Sequence, residues 1–102
     1  MDNDLLKWIE NWYKNNCNGD WEHSYGITIE TLDNPGWDIK IDLKNTLLEH
    51  EKIEYTLNEK NDNDWFSMKV DNAMFIASGD PDKLSLLLGL FKKFAEDRAT
   101  WT

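Results

Sequence analysis

From Trp37 to Leu43 the chain alternates without exception, Trp37, Ile39, Ile41 and Leu43 against Asp38, Lys40 and Asp42. Successive side chains of an extended chain point to opposite faces, so this run reads as a strand with one face in a core and one in water. Such a strand needs antiparallel neighbours. Upstream, Tyr25 to Leu32 reads as a strand with Ile27 and Ile29 on one side and Thr28 and Glu30 on the other. Asp33-Asn34-Pro35-Gly36 is the turn between them, with Pro35 presetting one torsion and Gly36 taking the positive φ of a type II turn. Downstream, Ile53, Tyr55 and Leu57 form the inward face of a third strand, opposed by Glu54, Thr56 and Asn58. After a polar loop, Asn58 to Asp64, Trp65 to Val70 forms a fourth strand. Asp71-Asn72 is read as a two-residue hairpin turn, and Met74 to Ser78 as a fifth strand.

Helices are expected at both ends. Leu5, Trp8, Ile9 and Trp12 repeat at helical spacing over about Asp4 to Asn16. Asp2 or Asn3 can cap that helix, and Asn18-Gly19 can end it with a left-handed residue. Asp80 at the cap, Pro81 at the first helical position and Asp82 in the first turn announce the last helix. Its core side is Leu84, Leu87, Leu88, Phe91, Phe94 and Ala95; Leu86 and Leu90 are expected to be buried under the first helix. The expected fold is α+β: an antiparallel meander sheet of four to five strands flanked by an N-terminal and a C-terminal helix, in the order α-β-β-β-β-β-α. Both helices should cover one face. Thr28, Glu30, Asp38, Lys40, Asp42 and Thr56 should line the other, a polar and mostly acidic surface. Residues 1–102 are read as a single domain, long enough to bury one core.

The chain carries 20 acidic against 11 basic residues, a formal charge of −9. That disfavours nucleic acid, whose phosphates need a basic stripe, and anionic membrane surfaces. It suits a basic protein partner, and it also serves solubility. With one cysteine, Cys17, no internal disulfide can form, which fits a reducing cytoplasm. The N-terminus lacks the basic and apolar regions of a signal peptide. The longest apolar run, Leu86 to Phe91, is far short of a membrane span.

Candidate chemistry is sparse. Cys17 falls at the C-terminal end of the first helix, where the dipole disfavours a thiolate. Asp20, Glu22 and His23 lie close in sequence but lack the paired spacing of a metal site, and His50 is distant. Asp20 is read as capping the turn at Gly19. There is no glycine-rich phosphate loop and no serine elbow. No catalytic residue, metal ligand or cofactor is therefore expected. Trp65 shares a strand face with Ser67 and Lys69, outside the inward set Phe66, Met68 and Val70, and an aromatic among charges suits an interface.

One stretch is more distinctive. Trp12-Tyr13, Cys17, Gly19-Asp20-Trp21-Glu22-His23, Tyr25-Gly26-Ile27, Thr31 to Trp37, Ile41-Asp42-Leu43 and Thr46 fall in one order. Asp64-Trp65, Asp71-Asn72 and Gly79-Asp80-Pro81 followed by Leu84 extend it. This pattern resembles the immunity protein 53 family of bacterial polymorphic toxin systems. The resemblance implies a cytoplasmic antitoxin that binds and blocks a cognate toxin domain, which in such systems is often a nuclease with a basic groove. Some members carry the label of a rhodanese-related sulfurtransferase, so the alternatives are a small enzyme using Cys17 or a ligand-binding module with a tryptophan-lined pocket. The binding surface itself is inferred from the residues: Asp20, Trp21, Glu22, His23, Glu30, Asp38, Asp42 and Trp65. The protein is expected as a monomer or weak homodimer.

Overall fold

A computed structural model of the chain describes residues 3–99. Its elements are α1 (Asn3–Asn16), α2 (Trp21–Ser24), β1 (Ile27–Leu32), β2 (Gly36–Asp42), β3 (Ile53–Asn61), β4 (Asp64–Asp71), β5 (Met74–Gly79) and α3 (Leu84–Ala99). The five strands form one antiparallel sheet with the two long helices packed on it. The α+β class and the order of the expected elements are as the sequence reading has them, with one short helix, α2, added where only a strand entrance was expected. The proposed cap at Asp2 lies outside the described residues, as does Trp101.

The strand order is β1-β2-β5-β4-β3, so the meander is broken once. β1 and β2 form one hairpin, and β3, β4 and β5 run back as two more. β2 therefore neighbours the last strand and not the next one. The physical cause is the connection from Leu43 to Lys52, too long for a tight hairpin. Leu43 and Leu48 bury their side chains, and the Leu43 N–H donates to the Ala73 carbonyl at 2.8 Å. The connection is thus pinned beneath the β4–β5 turn and delivers β3 to the far edge.

Two turns differ from expectation. The Asn34–Pro35 peptide is cis, and Gly36 pairs with Leu32 as a strand residue, so the turn is not type II. The β4–β5 loop is Asn72–Ala73, one residue later than expected, and both take the positive φ that suits a tight hairpin (+53° and +59°). Gly19, at φ +96°, does supply the left-handed residue after α1.

The inner face of the sheet carries Ile39, Ile41, Val70, Phe75 and Ala77, all buried. Phe91 of α3 sits at the centre. Its ring centroid lies 5.1 Å from Phe75, 4.9 Å from Trp12 and 5.9 Å from Trp8, in edge-to-face contacts. One ring therefore joins both helices to the sheet. Leu90 packs against this core, but Leu86 lies at the surface, contrary to the expected burial. The helix stripe that α1 covers is narrower than Leu86 would require.

Asp80, 1% exposed, does not cap α3, which begins four residues later. One carboxylate oxygen accepts the Trp65 N–H (2.9 Å) and the Lys83 ammonium (2.6 Å), and the other accepts the Asp82 N–H (2.8 Å). Lys83 also reaches Asp64 at 2.9 Å. This knot ties the start of β4 and the end of β5 to the entrance of α3. Lys83 and the donated N–H groups hold the Asp80 carboxyl at about 2, below the usual carboxylate value.

Candidate functional site

The segment between α1 and β1 is a compact, internally bonded corner. Asn18, and not Asp20, does the capping: its Oδ1 accepts the N–H groups of Asp20 (2.9 Å) and Trp21 (3.0 Å). The Glu22 carboxylate reaches back to accept the N–H groups of Asn18 and Gly19, both at 2.9 Å. Bonds from its own N–H and from these two amides hold the Glu22 carboxyl below its ordinary range. Trp21 is 3% exposed and its indole N–H donates to the Lys44 carbonyl at 2.8 Å. Its ring meets Trp12 and Tyr13 edge-on. Trp21 and Glu22 thus hold the corner in shape, while Asp20 and His23 are exposed on it. Trp21 and Glu22 fold inward because the stretch is a one-turn helix, not the extended strand entrance the sequence suggested.

Pairing register sorts the sheet's outer face. Glu30 lies opposite Asp38, Asp38 opposite Ser78, Ser78 opposite Ser67, and Ser67 opposite Leu57. Asp38 accepts the Ser78 hydroxyl at 2.6 Å and has Lys40 at 3.5 Å. Asp42 accepts the Gly26 N–H at 3.0 Å and so anchors the start of β1. Glu30 is exposed, and Trp65, half-buried, pairs with Glu59 on this same face.

A bulge in β3 changes what this face displays. Ile53 pairs with Val70, yet Thr56 pairs with Met68, so one extra residue stands between them. Beyond the bulge every side chain changes face. Thr56 and Asn58 point to the helix side with Met68 and Phe66. Tyr55 and Leu57, expected inward, stand on the outer face, 61% and 50% exposed. The outer face carries Glu30, Asp38, Asp42, Glu59 and Asp71 with Lys40 and Lys69, and it adds what was not expected, an apolar group of Tyr55, Leu57 and Trp65 at the β3–β4 end. Alternation alone could not reveal this, because the bulge keeps the strand extended while inverting its sides.

Elsewhere, the Cys17 thiol donates to the Tyr13 carbonyl at 3.3 Å, at the C-terminal end of α1. That placement offers a thiolate no positive dipole. Among the described residues no three His, Cys, Asp or Glu side chains converge as a metal would need. A cleft of about 790 Å³ opens between α1, the end of α3 and the Leu43–Lys52 connection, with Trp8, Trp12, Leu47 and Ala95 among its walls. No described helix is long and apolar enough to cross a membrane.

The profile of the immunity protein 53 family matches residues 6–96, from within α1 to near the end of α3. The chain belongs to the immunity protein 53 family. No curated protein and no solved structure matches it. An immunity protein acts by meeting a protein toxin, so membership makes a protein toxin the partner in general. In this immunity protein, the exposed members of the expected contact set, Asp20, His23 and Glu30, lie at the α2 corner and on the β1 edge, while Trp65 lies across the sheet.

Proposed function

We propose that this immunity protein is a cytoplasmic antitoxin that neutralises a basic toxin domain, of nuclease type, by occupying its substrate groove. The observation that carries the reading is the family match over residues 6–96. The formal charge of −9 supports the basic partner, since complementary fields speed encounter and reject wrong partners. Asp20, His23, Glu30, Asp38, Asp42 and Trp65 form the contact surface, and Trp21 and Glu22 act from behind it by holding the corner rigid. No residue performs catalysis and no cofactor takes part; the protein acts as a monomer or weak homodimer.

The test is to look beside this gene for one encoding a secreted protein with a basic C-terminal domain, and to purify that domain, or a panel of candidate toxin domains, together with this chain. A stable complex that suppresses the domain's nuclease activity is expected. Absence of a complex, or turnover of thiosulfate by this chain alone with loss of that turnover in Cys17→Ser, would count decisively against it.

A further inference from the structure

The outer face of the sheet has a polarity gradient running across all five strands. Along the row Leu57, Ser67, Ser78, Asp38, Glu30 the side chains pass from aliphatic, through two small hydroxyls, to two carboxylates. Neighbouring strands are about 4.8 Å apart, so the row spans roughly 19 Å, a size suited to a protein surface. The serines are low. Ser67 is buried although it is on the outer face, so the middle of the row is a shallow trough between Leu57 and Asp38. At the β3 end Tyr55 and Trp65 flank Leu57, with Glu59 beside Trp65.

Resting on the antitoxin reading, we propose that this row is the docking strip for the toxin: an apolar side chain of the partner sits on Leu57, Tyr55 and Trp65, and a basic side chain reaches across the serines to Asp38 and Glu30. The β3 bulge is what creates the site, because it turns Tyr55 and Leu57 outward to the same side as the carboxylates. An exposed tyrosine near a half-buried tryptophan is the kind of anchor on which interface energy concentrates, and Leu57 fills the apolar surface between them, where an arginine would block a docked side chain. The charge pattern selects the occupant. A second copy of this chain would bring a further −9 against the same carboxylates, whereas a basic toxin surface complements them.

The experiment compares binding of the toxin domain from the test above to the intact chain and to Leu57→Arg, Tyr55→Ser and Leu47→Arg. Leu57 and Tyr55 are exposed, so their replacement should leave the thermal midpoint unchanged; Leu47, 79% exposed at the cleft, serves as the control. The strip requires Leu57→Arg to weaken binding by about tenfold or more, Tyr55→Ser to weaken it by less, and Leu47→Arg to leave it unchanged. If the intact chain binds and Leu57→Arg and Tyr55→Ser both bind as well as it does, the strip is wrong while the antitoxin reading stands. Weakening by Leu47→Arg alone would move the interface to the cleft and overturn it. Loss of a homodimer in Leu57→Arg, with toxin binding intact, would show that a second copy occupies the strip, and that too overturns it. If the intact chain does not bind at all, the antitoxin reading itself falls.

Discussion

At Asp80 stability depends on the charge of one buried carboxylate. Its carboxyl sits at about 2 in the folded chain against an ordinary 3.8, so the fold favours the ionised form. A lowered folded value means that its contribution is complete well above 3.8 and disappears as the pH falls through that value toward 2. Asp80→Asn should therefore lower the urea midpoint clearly at neutral pH, since Lys83 and the Trp65 and Asp82 N–H groups lose their charged acceptor. The gap between the two proteins should narrow steadily in unfolding curves taken below about pH 4 and close near pH 2. A gap that stays constant with pH would show that the charge of Asp80 is irrelevant. From the sequence, Asp80 looked like a helix cap. That reading correctly flagged a special residue but could not foresee that it bonds to Trp65, fifteen residues upstream, because cap patterns are local and this contact is not.

Strands and helices were legible wherever a period was unbroken. The Trp37–Leu43 alternation and the Leu5–Trp12 stripe both became the elements they suggested, with Ile39 and Ile41 in the core as expected. What stayed hidden were features that preserve composition but change direction: the β3 bulge, the one-turn helix at Trp21, and the crossing from β2 to the far edge. The last left a signal, since the Leu43–Lys52 connection contains buried leucines and is too long for a hairpin. β2 itself depends on a close approach at its first residue. A Cβ on Gly36 would run into the carbonyl oxygen of Gly79, which is backbone and cannot move aside. Gly36→Ala should cost about 3 kcal/mol, near the upper range for forcing atoms into a packed site, and chemical denaturation would measure it. An unchanged midpoint would mean that the β2–β5 contact is looser than its register implies.

For the whole molecule, charge and topology act together. With a formal charge of −9, association with a basic toxin should slow on the order of tenfold between about 0.01 and 0.15 M salt, as steering fields are screened. Stopped-flow mixing would detect this, and Glu30→Lys, exposed on the β1 edge, should flatten the salt dependence. A rate indifferent to salt would remove electrostatic steering from the account. The strand order has a separate consequence. β5, made after the other four strands of this sheet, is the one that lies between the β1–β2 and β3–β4 pairs. Until it emerges, the two halves have nothing to zip them together, and Leu57 and Glu30 belong to unconnected pieces. The proposed docking strip is therefore whole only once β5 has joined the two pairs, and a chain made only as far as β4 holds it in two separate parts.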